Sequence, residues 1–174
     1  MALRQILTEP NKILREKSLF VEKIDEDLKK LMDDMLETMY AAPGIGLAAI
    51  QVGIPKRVIV LDIAQKNGSR NPLFFINPEI IERSKNNSTY EEGCLSVPGQ
   101  FAEIDRPDQC YVKYLDYNGE PKEIKATGML ATCIQHEMDH LEGILFIDYL
   151  SKLKKTMIIK KLSKQKKVLE RIVV

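Results

Sequence analysis

The chain contains two histidines, and both fall within five residues, His136-Glu137-Met138-Asp139-His140. A spacing of i and i+4 puts both rings on one face of an α-helix, one turn apart. On that helix Glu137 lies about 100° around from His136 and about 60° from His140. Two imidazoles on one face with a carboxylate beside them are the ligand pattern of a hydrolytic metal site. The motif therefore constrains the fold before anything else does. The segment must be helical, its histidine face must line a site, and another part of the chain must bring a further ligand to it.

Proteases built on His-Glu-x-x-His take that further ligand from a downstream Glu or His. No histidine remains here, and no acid lies between Asp148 and Glu170. This weighs against such a protease without closing the option. The soft donors left are Cys94, Cys110 and Cys133. Cys133 shares a helix face with the histidines, but it stands seven residues from His140. That is about 10.5 Å along the axis, and metal bonds of about 2.0–2.3 Å do not span it. Cys133 reads as a small buried residue near the site, and Cys110, inside an alternating stretch, as core. Cys94 is bracketed by Gly93 and Pro98. These residues punctuate an extended segment, so the thiolate can lie beside the helix, and it is the preferred third ligand. Two imidazoles and a thiolate leave a fourth position for water, whose pKa a metal lowers towards about 7. The donor set suits Zn, Fe, Co or Ni.

At 174 residues the chain is expected to fold as one domain over 1–174. No apolar run reaches the length of a membrane span, and the first residues lack the apolar core of a signal peptide. Three cysteines cannot all pair with one another, which favours a reducing compartment. A cytoplasmic protein without membrane contact is the expectation. Charge is uneven: residues 151–171 hold nine of the 26 Lys and Arg and one acid, leaving 1–150 with a net charge of −7. The tail, 151–174, reads as a basic helix. Either it simply packs by Leu153, Met157, Leu162 and Leu169, or it serves a partner that carries phosphates.

Asp25 is placed to cap a helix to about Tyr40, with Leu28, Leu31, Met32, Met35, Leu36 and Met39 as its apolar stripe. Residues 57–63 and 73–76 read as strands. Gln109 to Tyr117 alternates towards Asn118-Gly119, and Pro121 to Ala126 returns from it as a hairpin. Gly128 opens the histidine helix, Gly143 stops it, and a last helix covers about 151–168. The sum is an α+β fold, with short, mainly antiparallel or mixed strands around a central metal-binding helix and a C-terminal helix.

Residues 43–51, Pro-Gly-Ile-Gly-Leu-Ala-Ala-Ile-Gln, follow a helix and lack a third glycine, so a dinucleotide turn is not expected. Two readings stay open. One is a turn into an edge strand with Gln51 exposed. In the other, Gly44 and Gly46 let a ligand approach the backbone, and Gln51 offers an amide donor to a developing oxyanion.

Taken together and in order, Gly-Ile-Gly-Leu-Ala-Ala-Ile-Gln (44–51), Glu-Gly-Cys-Leu-Ser (92–96) and His-Glu-Met-Asp-His (136–140) closely resemble the peptide deformylase family. The likeness runs from Ile6-Leu7, Pro10 and Leu14-Arg15 to the helix after Asp148-Tyr149-Leu150. It implies a metallohydrolase that removes the formyl group from the N-terminal formyl-methionine of new proteins and releases formate. It implies one divalent ion on Cys94, His136 and His140, Fe(II) in the cell, with Zn, Ni or Co able to take its place. Glu137 would be the acid/base, and Gln51 with the backbone N–H of Leu95 would hold the oxyanion. The peptide would pair as a strand along Gly44, Ile45 and Gly46, with Gly93 also at the binding surface. Ile45, Met129 and Cys133 are the candidates for the methionine slot.

The same resemblance implies a monomer whose C-terminal helix can dock on the ribosome. Here Lys152, Lys154, Lys155, Lys160, Lys161, Lys164, Lys166 and Lys167 would meet rRNA phosphates. Many members carry an arginine where this chain has Phe101, which alters polar contacts at the outer rim of the cleft rather than the metal chemistry. Two rival readings of the motif remain. A metalloprotease or other amidase would need a different third ligand. A binding module with a structural metal would need a fourth, and no further Cys or His is well placed.

Overall fold

The computed structural model describes residues 2–64 and 68–172. Helix α1 spans Glu26–Ala41, and the Asp25 side chain accepts the Leu28 N–H at 3.0 Å, satisfying one donor that the helix itself cannot. Leu28, Leu31, Met32, Met35 and Met39 are buried along it, and Leu36 is partly so. Seven strands follow: β1 (Gly46–Ala48), β2 (Val58–Leu61), β3 (Leu73–Arg83), β4 (Asn87–Cys94), β5 (Val97–Pro107), β6 (Gln109–Leu115) and β7 (Pro121–Thr127). Helices α2 (Gly128–Leu141) and α3 (Lys152–Ile172) complete the described chain. The strands form an antiparallel sheet in the order β1-β2-β3-β6-β7 and a separate β4-β5 hairpin.

Strand β2 shows how the layers stack. Its four residues are all fully buried, and alternation sends them to opposite faces. Val58 and Val60 join Met32, Met35 and Met39 of α1, whereas Ile59 and Leu61 join Ala131, Ile134 and Leu141 of α2. At about 1.5–3 kcal/mol for each aliphatic side chain taken out of water, β2 is a main beam of the fold. The sheet is thus covered on both faces, and α2 packs centrally, as the histidine motif requires. A third cluster joins Val97 and Ile104 of β5 to Leu145, Phe146 and Ile147 and to Leu162 of α3.

Three expectations need correction. Strand 73–76 does not stop at Asn77-Pro78 but continues to Arg83 as β3. The ladder slips between Ile76 and Glu79, Asn77 takes φ 51, and its amide clasps the Val21 backbone at 2.8 and 2.9 Å, so the break is bridged. Residues 87–94 and 97–107, which carry no strand signature in the sequence, form the β4-β5 pair. Finally, of the four residues offered to pack the tail, only Leu162 is buried; Leu153, Met157 and Leu169 are 71%, 61% and 63% exposed. Ile158, Ile159 and Leu162 form the packing face instead. Leu153 and Met157 point about 220° and 260° around from Ile158, while Leu169 shares its face but lies about 10 Å beyond Leu162. Helix α3 therefore overhangs the body. Positions 173 and 174 of the basic tail lie outside the described residues.

Candidate metal centre

The donors arrive from two elements. Helix α2 carries His136 and His140 on its inward face, at 9% and 1% exposure. Cys94 ends β4, where the pairing with β5 slips between Gly93 and Cys94 before a tight turn at Leu95-Ser96. The slip turns the sulfur towards α2, and the Ser96 N–H approaches it at 3.4 Å. One donor atom from each of Cys94, His136 and His140 lies within 4.8 Å of the others, and Cys94 Sγ is 3.4 Å from His140 Nε2. Ligands on one tetrahedral ion with bonds of about 2.0–2.3 Å lie about 3.3–3.6 Å apart, a spacing that Cys94 and His140 already have, with a His136 nitrogen within reach of both.

Two carboxylates frame these donors. Glu92 Oε2 meets His136 Nδ1 at 2.9 Å, which leaves Nε2 of that ring for the centre. Such an outer partner fixes the tautomer and the ring orientation of a ligating histidine. Glu137 Oε1 stands 4.0 Å from His136 Nε2, and among the described residues its Oε2 is buried without a hydrogen-bond partner. Burial pushes the Glu137 carboxyl up to about 7, with His136 opposing and Glu92 reinforcing the shift. A carboxyl poised there can both take and give a proton near neutral pH. His140 is held well below the ordinary imidazole value, chiefly by burial, whereas the Cys94 and Glu92 beside His136 favour, against its burial, a proton on that ring that a bound cation would displace. A neutral ring is the form that binds a metal.

Gln51 is buried, not exposed, so the first reading of the glycine segment holds only for the edge strand β1. Its Oε1 accepts the Ala48 N–H at 2.8 Å, which assigns the amide and points Nε2 into the site. Nε2 donates to Ser96 Oγ at 3.0 Å and reaches Cys94 Sγ at 3.5 Å. The two glycines answer to close approach rather than to a turn. A Cβ on Gly44 would lie 2.6 Å from Leu95 Cδ1, and one on Gly46 would strike Glu137 Oε1.

A cleft of about 510 Å³ opens onto these groups. It gathers Gly44, Ile45, Gly46, Gln51, Gly93, Cys94, Leu95, Met129, Cys133, His136 and Glu137, with Phe101 at its mouth. His140 lies behind this wall. Met129 and Phe101 are 37% and 65% exposed, whereas Cys133 is buried. Sequence reasoning missed the parts played by Glu92, which lines the cleft, and by Ser96, Arg106 and Asp139 behind it. One signal was present for Glu92: it lies two residues before Cys94, and side chains two apart on a strand face the same way.

A family model described as polypeptide deformylase matches residues 3–156. The chain belongs to the polypeptide deformylase family. Peptide deformylase from Pelagibacter ubique (strain HTCC1062) is 65% identical over 166 residues, covering 95% of this chain and 96% of that one. The one from Phenylobacterium zucineum (strain HLK1) is 57% identical over 167 residues, 96% of this chain and 99% of its own. Among solved structures, peptide deformylase from Ehrlichia chaffeensis in complex with actinonin matches with a TM-score of 0.91 at 47% identity, covering 95% of this chain and 98% of that one. The Legionella pneumophila peptide deformylase matches at 0.90 and 44%, covering 98% and 99%. The enzyme is thus a metallohydrolase that takes the formyl group from the N-terminal formyl-methionine of newly made proteins. Among the described residues, no helix is long and apolar enough to cross a membrane.

Proposed function

We propose that Cys94, His136 and His140 hold one divalent cation, Fe(II) in the cell, with Zn, Ni or Co able to replace it. The observation that carries this reading is the convergence of one thiol and two imidazoles within 4.8 Å, beside a buried carboxylate oxygen with no hydrogen-bond partner among the described residues. A cation on such a donor set supplies Lewis-acid polarisation and a water pKa near about 7. The remaining work falls to the chain.

Glu137 takes a proton from the attacking water and delivers it to the departing amine, so water and the formamide become formate and a free N-terminus. Gln51 and the Leu95 N–H hold the oxygen that gains charge at the tetrahedral stage. Gln51 has one N–H on Ser96 Oγ, while its other faces only the weak acceptor Cys94 Sγ. That second N–H is the one free to turn to substrate, and losing such a donor costs about 2.7–4 kcal/mol of barrier lowering. The peptide lies along Gly44, Ile45 and Gly46 on the open side of edge strand β1, with Gly93 across the cleft, in the manner of strand addition. Ile45, Met129 and Cys133 form the apolar slot for methionine.

Glu137→Gln should keep its metal and lose at least about 100-fold in turnover of formyl-Met-Ala, the range of general acid–base catalysis. Metal content by elemental analysis after anaerobic purification checks the first half, and full activity would remove Glu137 from the mechanism. Cys94→Ser should lose metal while Cys133→Ser keeps it; equal loss would break the ligand assignment.

The reading extends to a single-domain monomer of the cytoplasm that uses α3 on the ribosome. Lys155 is occupied by Asp148 at 2.6 Å, but Lys152, Lys154, Lys160, Lys161, Lys164, Lys166 and Lys167 are exposed. Replacing Lys160, Lys161, Lys164, Lys166 and Lys167 by Gln spares the packing face. It should weaken ribosome binding and flatten its salt dependence by about one unit of slope per lost contact. Hydrolysis of formyl-Met-Ala should stay unchanged. Unaltered, salt-insensitive binding would reject the role.

A further inference from the structure

The ligand set joins parts of the fold that are not paired with each other. Cys94 ends β4, which pairs with β5 in its own hairpin, while both histidines sit on α2 against the five-stranded sheet. The spacing of sulfur and ring nitrogens therefore depends on whatever fastens the hairpin to α2. Arg106, on β5 and 4% exposed, makes the charged part of that join, next to the Gln135 amide of α2, which donates to the Pro107 carbonyl at 2.8 Å. Its Nε and Nη2 donate to the two oxygens of Glu92 at 2.6 and 3.0 Å, and its Nη1 donates to Asp139 Oδ2 at 2.8 Å. Glu92 lies two residues before Cys94, and its Oε2 also accepts from His136 Nδ1 at 2.9 Å. Asp139 lies on α2 between the two histidines. Tyr149 closes the outside: its hydroxyl donates to the same Asp139 oxygen at 2.8 Å, and its ring centre is 5.0 Å from the guanidinium carbon.

We propose that Arg106 is a positioning residue: by clamping Glu92 of the Cys94 strand to Asp139 of the histidine helix, it sets the geometry in which the centre retains its metal. The fork is essential to the claim. A guanidinium offers planar, paired donors to one carboxylate and a further donor to a second, and an ammonium does not reproduce that arrangement. The clamp touches neither substrate nor metal. It acts through Glu92 on His136 and through β4 on Cys94.

This inference rests on Cys94, His136 and His140 being the ligands, and the test separates the two. The full-length, metal-loaded protein is mixed with excess EDTA at fixed pH, and metal release is followed by elemental analysis of the protein fraction. Thermal melting of each metal-free variant is measured in parallel. Arg106→Met should release metal about 10–100-fold faster than the parent, the usual scale for a lost outer partner. Arg106→Lys should fail to restore retention. Arg15→Met is the control: Arg15 is likewise shared between two carboxylates, Glu9 and Asp148, each at 2.6 Å, but among the described residues neither side chain is hydrogen-bonded to Cys94, His136 or His140, and the charge of Arg15 reaches His140 only at a distance. It should lower the melting temperature without speeding release. Parental release from Arg106→Met, full rescue by Arg106→Lys, or equal acceleration in Arg15→Met would overturn the proposal. If Arg106→Met does not fold, Asp139→Ala decides: it removes the acceptor at the helix end of the clamp and should still speed release, and an unchanged rate would refute the clamp. A parent protein whose metal content is indifferent to Cys94→Ser would instead refute the ligand set, whatever Arg106 does.

Discussion

One absent methyl group, at position 46, decides where the Glu137 carboxylate can sit. A Cβ there would strike Glu137 Oε1 and come within 2.8 Å of Leu61 Cδ2. Gly46→Ala should therefore push the carboxylate off its station while leaving Cys94, His136 and His140 in place. Turnover of formyl-Met-Ala should fall at least tenfold, about 1.4 kcal/mol in the barrier, with metal content unchanged. Wild-type turnover would mean that the carboxylate has room to spare and that its approach to Gly46 is incidental. The glycines were legible in the sequence only as a weak G-x-G, because their reason lies on residues far along the chain, Leu95 for Gly44 and Glu137 for Gly46. Cys94 was legible by elimination and by its punctuation. Glu92 was legible only through its place two residues before Cys94, and Arg106 not at all, since charged residues in an alternating segment read as solvated until a partner is known.

Elements with local signatures could be read directly, whereas those held by distant partners could not. The Asp25 cap, the stripe of α1 and the Asn118-Gly119 hairpin are written in neighbouring residues, and Gly119 takes the φ of +82 that such a turn demands. The hairpin β4-β5 carries Asn87, Ser88, Thr89, Glu91, Glu103 and Asp105, so its apolar pattern is too thin to announce strands. The stop of α2 was legible at Gly143, and its geometry sharpens the reading. Gly143 has φ +73, and a Cβ there would strike the Arg15 carbonyl oxygen and lie 2.7 Å from its carbon. A left-handed backbone costs an alanine about 1–2 kcal/mol, and overpacking against rigid backbone adds about 1–3 kcal/mol. Gly143→Ala should thus lose about 2–5 kcal/mol in urea unfolding of the metal-loaded protein. A loss below about 0.5 kcal/mol, the range of an ordinary surface substitution, would show that α2 tolerates another ending.

For the whole molecule, the metal centre is also a fastener. Its donors come from α2, which is packed on the five-stranded sheet, and from the β4-β5 hairpin, which shares its apolar cluster with α3. That division was hidden from the sequence, because continuous polar strands gave no hint of a second, smaller sheet. A cation that binds only the folded arrangement stabilises it by mass action, about 2.7 kcal/mol at 100 times the dissociation constant. In a domain of this size 1 kcal/mol moves the melting temperature by about 2–4 °C. Stripping the metal should then lower the melting temperature by about 5–11 °C at that loading. The loss should not be spread evenly. Amide exchange should accelerate first in β4, β5 and α3, which depend on the join to α2, and last in β2, which is buried on both faces. Cys94→Ser should melt where the stripped parent melts and gain nothing from added metal. Uniform loss of protection across both sheets, or a stripped protein that melts with the loaded one, would mean that the hairpin and the sheet are fastened by packing alone.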